Sequence, residues 1–345
     1  MTAHQDALSV VEAAYRFDTP TADWLRGVLE AMRPLVDQGF GAWGFVFDGH
    51  ALINGKLAYQ CPTAVGLPPD WLDGFRATLS LTSRDSQVMY ETIFGTPYHT
   101  MSEILAAHPE LLGAATGAIA IPGVMDSLGV SARDTSGTGI FIGAHAGRRM
   151  MLDGREKDRL GRMAAHIATA FRLRGRLGAG GATAPSLEEG AEAWIRPDGR
   201  MEHATGAATD REHMHALREA AIAADKAARE LRYQDADEAL LAWEALVAGR
   251  WSLVATYEHD GRKLLVAQPN EPAPLGDDPR LTTRERQVAG YLLLGHPQKL
   301  IGYELGLSEG TVSTLVSRIR TKLGVESLSD LLLAIEALRR RGQLD

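Results

Sequence analysis

At 345 residues, with 45% hydrophobic and 23% charged side chains, the chain is long enough for two or three globular domains. Its net charge of −8 is not that of a tight, non-specific nucleic-acid binder. One cysteine, Cys61, excludes a disulfide framework or a cysteine metal cluster and fits a reducing cytoplasm. The start of the chain lacks the basic and apolar regions of a signal peptide, and no stretch reaches the length of a membrane span. A cytoplasmic protein with no membrane association is expected, and no internal repeat is visible.

The first domain is placed at 1–177. Trp24 to Val36 reads as a helix with Leu25, Val28, Leu29 and Met32 on one face. Ala42 to Phe47 is a short apolar strand ending in an Asp48-Gly49 turn. Residues 68–112 read as helical and loop-rich. Ile119 to Val124, Ser127 to Ala132 and Gly139 to Ala144 read as strands, with Asp134-Thr-Ser-Gly137 as a turn. Arg155 to Arg176 is a long helix, apolar along Leu160, Met163, Ile167, Ala170 and Phe171, and a natural dimer element. This order of helix, sheet and long closing helix resembles a GAF domain, best over Asp126 to Leu173, although GAF and PAS modules are not separable by pattern alone. The resemblance implies an α+β sensor. A phosphoacceptor receiver is disfavoured, because Lys56 is the only lysine in the first 150 residues and follows the strand ending at Asp48 directly.

Trp43, Phe45, Trp71, Phe75, Tyr90, Phe94, Tyr98 and His99 concentrate aromatic rings in this domain. They could line an apolar pocket for a small-molecule effector, with a few polar groups for orientation. Ordinary core packing is the stronger reading of the same residues. His99 is expected on the surface or hydrogen-bonded rather than as a haem ligand.

Gly178 to Pro185 is a small, flexible linker. A middle domain over 186–269 follows. Ala193 to Arg196 and Met201 to Ala204 form a hairpin around Pro197-Asp-Gly199, and Trp251 to Glu258 and Lys263 to Gln268 form another around Asp260-Gly261. Two helices, about 210–232 and 235–248, lie between them. This is a small α/β module of PAS-like character. His213 and His215 are two apart on a helix and point to different sides, so a solvated face is expected there, with His203, rather than a metal site. Pro269 to Pro279 is a proline-rich, acidic linker, expected to be extended and semi-rigid.

The last domain, 280–345, carries ten Lys and Arg against nine Asp and Glu from residue 276 onward. Thr282 and Glu285 fit a capping box opening a helix to about Leu294. Gly295 suits its end, and Pro297 suits the first turn of a short helix over 298–305. Ser308 caps a third helix reaching Leu323. Val312, Val316, Ile319 and Leu323 form its buried stripe. Gly310, Ser313, Thr314, Ser317, Arg318 and Thr321 form a small, polar and basic face suited to a major groove. Ser327 and Asp330 open a fourth helix, apolar along Leu328, Leu331, Leu332, Ile335 and Leu338 and ending in Arg339 to Arg341, which complement the helix dipole.

Leu281-Thr-Thr-Arg-Glu285, Gly295 to Ile301, Leu305-Gly-Leu-Ser308, Thr311-Val312 and Ile319 to Val325 together resemble the DNA-binding domain of the LuxR family of transcription regulators. The resemblance implies an all-α, four-helix helix-turn-helix fold, with double-stranded DNA and RNA polymerase as partners and a homodimer built through the last helix. It implies base reading by Ser313, Thr314 and Ser317, supported by Thr311, Lys299 and Arg318, with Arg320 and Lys322 on phosphates, and by family habit an activator. Three positions depart from the family pattern. Ser313 replaces its usual lysine, Leu315 its usual histidine, and Leu300-Ile301-Gly302 its usual Glu-Ile-Ala. A missing lysine weakens binding and flattens its salt dependence.

No catalytic or cofactor motif competes. Gly137-Thr-Gly139 lacks the spacing of a dinucleotide fingerprint, and neither a phosphate-binding loop nor a His-Glu-x-x-His is present. The expectation is a multidomain, non-enzymatic regulator without cofactor or metal. The alternative is a signalling protein whose helix-turn-helix docks another protein instead of DNA.

Overall fold

The computed structural model describes residues 6–49, 58–79, 84–112, 121–178, 186–257 and 261–341. Outside them lie Lys56, the first two residues of the strand expected over 119–124, most of the 178–185 linker, and Asp260. The chain groups into two compact units. One comprises Met1–Arg133, Gly137–Ser186 and Lys226–Leu241, and the other comprises Asp134–Ser136, Leu187–Asp225 and Ala242–Asp345.

In the first unit, α1 (Ala7–Ala14) is capped by Asp6, whose carboxylate accepts from Ser9 N at 3.0 Å. Helix α2 (Thr21–Val36) buries the expected Leu25, Val28, Leu29 and Met32, together with Trp24. Trp24 donates from Nε1 to Ala14 O at 2.8 Å, which fixes α2 to the end of α1. Strands β1 (Ala42–Asp48) and β2 (Ala58–Val65) precede α3 (Trp71–Leu79), α4 (Arg84–Phe94), β3 (Tyr98–Thr100) and α5 (Met101–Ala107). Strands β4 (Asp126–Arg133) and β5 (Thr138–Ala146) lead into α6 (Gly154–Arg176), opened by a capping box of Asp153 and Glu156. The strands form one antiparallel sheet in the order β2-β1-β5-β4-β3. Successive residues alternate between its faces. One face packs on α2 and α6. The other carries Trp43, Phe45 and Phe47 with Phe141, against Met89, Ile93 and Phe94 of α4.

Four expectations change here. Asp48 is not in a turn but ends β1, paired with Ala58 and Thr138. Ile121 to Val124 form a turn closed by Val124 N donating to Ile121 O, because Pro122-Gly123 supports a positive φ of 86° at Gly123 and not an extended chain. The apolar side of α6 is used within its own unit, against α1 and the sheet. Residues 226–241, expected in the middle domain, group with the first unit, where Arg232 pairs with Asp6 and Glu12 and Arg155 with Asp237.

In the second unit, β6 (Ala193–Ile195), β7 (Met201–Ala204), β8 (Trp251–Tyr257) and β9 (Lys263–Pro269) form an antiparallel sheet ordered β7-β6-β9-β8. Helix α7 (Arg211–Lys226) lays Leu217 and Ala221 on Ile195, Trp251, Leu253 and Leu265. The helix expected in the middle domain over 235–248 is α8 (Ala236–Ala242), which belongs to the first unit except for its last residue and stops there. Beyond it, Ala248 and Gly249 take positive φ of 50° and 63°, which no helix can continue.

Four helices complete this unit: α9 (Thr283–Leu293), α10 (Gln298–Leu305), α11 (Glu309–Leu323) and α12 (Leu328–Arg341). Their boundaries match the sequence reading because each cap is local chemistry. Thr282 accepts from Glu285 N at 3.3 Å and Glu285 accepts from Thr282 N at 2.7 Å. Ser308 accepts from Thr311 N at 3.1 Å and Ser327 from Asp330 N at 3.0 Å. The shared core is Val288, Tyr291, Ile301, Leu305, Val312, Leu315, Val316, Ile319, Leu331 and Ile335. No described helix is long and apolar enough to cross a membrane.

The proline-rich linker is not a free spacer. Gln287 Nε2 donates to Pro272 O at 2.8 Å, Arg286 donates to Gly276 O at 2.6 Å, and Leu275 packs on the four-helix core. The Ala248–Gly249 turn sits against the same helices: Arg284 donates to Ala248 O at 3.2 Å, and Tyr303 Oη donates to Trp243 O at 2.6 Å.

Candidate nucleic-acid interface and N-terminal cavity

Helix α11 has two unlike sides. Val312, Leu315, Val316 and Ile319 are buried, and Leu323 half-buried, so Leu315 joins the expected stripe. Thr311, Ser313, Thr314, Ser317, Arg318 and Thr321 are exposed. Three hydroxyls on that side donate back to the helix: Thr314 to Gly310 O, Ser317 to Ser313 O and Thr321 to Ser317 O, at 2.9 to 3.1 Å. This bonding spends each proton locally and leaves the hydroxyl oxygens outward as acceptors. Lys299, in the first turn of α10, is exposed, and Arg320 is half-buried.

Lys322 is engaged elsewhere. Its Nζ donates to Glu285 Oε2 at 2.6 Å, tying the end of α11 to the start of α9. A phosphate contact would compete with this ion pair. Burial pushes the Glu285 carboxyl up, but the hydrogen bonds from Lys322 and Thr282 outweigh it and hold the carboxyl below its usual range. His296 Nδ1 and Glu304 Oε2 lie 2.8 Å apart, both buried, and close the corner between α9 and α10. On α12, Leu331 and Ile335 are buried, whereas Leu328 and Leu333 are 57% and 70% exposed. Arg339 and Arg340, expected to complement the helix dipole, both pair with Glu336.

The second site lies on the sheet of the first unit. Trp43, Gly143, Gly129 and His99 are successive Cα partners across β1, β5, β4 and β3, so they form one transverse row. The glycines are required there. A Cβ on Gly143 would lie 2.2 Å from the Trp43 ring, and one on Gly129 would lie 2.2 Å from the His99 ring. The two rings therefore rest on bare backbone. Next to this row, His145 on β5 pairs with Ser127 on β4, and its ring centroid is 4.2 Å from that of Trp43.

Local contacts fix His99. Thr100 and Glu103 form the capping box of α5, and Thr100 Oγ1 donates to Met150 O at 2.9 Å. Buried Asp126 accepts from Ser102 N and Met150 N, which anchors α5 to β4.

These residues surround a cavity of about 80 Å³. Of the eight aromatic residues expected to line a pocket, Trp43, Phe45, Phe75, Tyr90, Phe94 and His99 do so. Trp71 stacks behind on Phe75 and Trp43, and Tyr98 does not line it. Met89, Met101, Ser127, Gly129, Phe141 and His145 were missed. The period-two signal that puts Phe141, Gly143 and His145 on one face was present in β5.

His99 is not at the surface. It is 7% exposed, and its Nδ1 has no hydrogen-bond partner among the described residues. Trp43 Nε1 and both ring nitrogens of His145 are likewise buried without partners. Burial lowers the pKa of His99 from 6.5 to about 4, against the opposing pull of Glu103 and Asp126. It lowers that of His145 to about 4 as well, against Asp37. Both rings are neutral at pH 7.

The histidines of the second unit have ordinary surroundings. His213 Nδ1 lies 3.0 Å from Ala207 O with its ring edge-on to Trp251, and His203 packs on Trp194. Among the described residues no three His, Cys, Asp or Glu side chains gather as a metal site would need.

The capped four-helix core with one polar helix face outward defines a helix-turn-helix domain. Residues 279–335 match the family model of the bacterial regulatory proteins of the luxR family, which places a domain of that family in about one sixth of the chain. No curated protein matches the chain. Among solved structures, Escherichia coli SdiA in space group P6522 is 10% identical, with 96% of each chain covered and a TM-score of 0.30. SdiA in complex with octanoyl-rac-glycerol is 11% identical, covering 96% of this chain and 93% of that one, with a TM-score of 0.29. Scores this low leave the fold to be argued from this chain's own residues.

Proposed function

We propose that the protein is a sequence-specific DNA-binding transcription regulator of the LuxR type. It acts as a homodimer, and a small molecule or protein partner controls it through a GAF/PAS-like N-terminal half. The observation that carries the reading is the exposed face of α11, within a segment that matches the luxR family. Ser313, Thr314 and Ser317 read base edges there, with Thr311, Arg318, Lys299 and Arg320 around them. The exposed Leu328 and Leu333 of α12 support pairing through that helix. A five-stranded antiparallel sheet with helices on both faces supports the sensor reading.

Selection of genomic fragments by the purified protein at moderate salt tests this. Enrichment of a common sequence over random DNA is expected. Ser317→Ala should then change preference at one base pair, by about 1–3 kcal/mol of discrimination. Arg320→Ala should weaken all sequences alike. Failure to enrich any fragment sinks the DNA-reading function and favours protein docking by the same helices.

A further inference from the structure

The cavity on the first unit's sheet combines two properties that rarely coexist in a folded core. Its wall is almost wholly apolar, yet four nitrogens on Trp43, His99 and His145 are buried around it without a partner among the described residues. A buried donor or acceptor left unmade costs on the order of 1–3 kcal/mol, and native interiors leave few such groups. Phenylalanine or leucine would avoid that cost at each of the three positions.

Gly143 and Gly129 let the Trp43 and His99 rings rest on bare backbone beside the cavity, in space that a Cβ at either position would take.

We propose that this trough binds a small neutral molecule with an apolar, ring-sized body and a polar group that both donates and accepts hydrogen bonds, held by Trp43, His99 and His145. Its regulatory meaning rests on the proposed function, but the binding itself does not.

The chemistry of the wall sets each term. Among the described residues no Asp, Glu, Lys or Arg lines the cavity, so a charged occupant would lose its hydration without a counter-ion. The imidazoles are neutral, so each has one donor and one acceptor nitrogen, and the indole adds a donor. An occupant that only accepts or only donates would leave part of this set unmade. The volume of about 80 Å³ excludes a long chain in this conformation. An engineered apolar cavity of about 150 Å³ holds one benzene ring. Met89 and Met101 line the trough, and flexible thioether side chains can yield the remaining space.

Calorimetry on the full chain with phenol, benzene and benzoate at pH 7.5 tests the proposal. Phenol should bind at least tenfold more tightly than benzene, which lacks the polar group, and than benzoate, which is charged. His145→Phe should weaken phenol binding at least tenfold while the melting temperature of the ligand-free protein stays level or rises, which a merely structural histidine would not allow. Trp43→Phe, which keeps a ring and deletes one donor, should weaken phenol in the same direction. No phenol binding, equal binding of the three probes, or unchanged phenol affinity in both variants overturns the proposal. Phenol binding by a protein that selects no DNA would leave this site standing and remove the regulator reading. DNA selection without phenol binding would do the reverse.

Discussion

Glu285, Gln287, His296 and Glu304 in the helix-turn-helix domain are as deeply buried as Trp43, His99 and His145 in the N-terminal unit. The first group is partnered: Glu285 with Lys322 and Thr282, Gln287 with Pro272 O, His296 with Glu304. The second group carries nitrogens with no partner among the described residues. Buried polarity thus serves two purposes here. In one region it fixes a geometry, because each group specifies the position of another. In the other it holds hydrogen-bonding capacity in reserve. On the proposed function, the difference separates a domain that presents one rigid face from a unit that responds to an occupant.

The largest effect expected from this contrast is a pH dependence between about pH 6.5 and 4 that is carried mainly by the unpartnered set. In the unfolded chain His99 and His145 take up a proton near pH 6.5, whereas in the folded protein burial delays this to about pH 4. Their contribution is therefore complete above pH 6.5 and drains away as the pH falls to about 4, by about 3 kcal/mol for each imidazole. Urea midpoints between pH 8 and pH 4 should fall along this window. They should flatten in a His99→Leu, His145→Phe double variant, and an unchanged slope in that variant would contradict the assignment. The partnered set should instead be fragile to single substitutions. Glu304→Ala leaves His296 buried beside an empty acceptor position and should cost about 2 kcal/mol at neutral pH. A midpoint within error of the parent protein would mean that His296 has another partner. Smaller still is Lys322→Ala, because the lysine is partly solvated. Here a loss of about 1 kcal/mol in stability is expected, with Glu285 left to its cap alone. A Lys322→Ala protein that kept full stability and lost DNA affinity would return the residue to phosphate binding.

Legibility divides along the same line. The helix-turn-helix domain could be read nearly to the residue, because Thr282, Ser308 and Ser327 and the glycines at 306 and 324 act on their nearest neighbours in the chain. The first unit depends on partners far apart in sequence. Strand β2 carries Pro62 and a positive φ of 51° at Cys61, so it shows no clean alternation and was not foreseen. Strand β3 is only three residues long, yet it delivers His99. The alternation of β5 puts His145 on one face with Phe141, but its relation to Trp43 appears only once β1 and β5 are paired in register. Sequence alone could name most of the rings but could not distinguish those that line a space from those that fill one.

The bonds from Gln287 and Arg286 to the proline-rich segment, and from Tyr303 and Arg284 to the turn beyond α8, turn an apparent tether into a splint. A reading head on a loose string searches many orientations and gives up that freedom anew at every encounter. Here most of that freedom is surrendered once, when the second unit folds. Helix α11, proposed to read DNA, is therefore carried as a fixed tooth on a larger body. In the homodimer proposed above, paired teeth of this kind would tolerate spacing errors between half-sites poorly, so a few inserted base pairs would matter as much as a changed base.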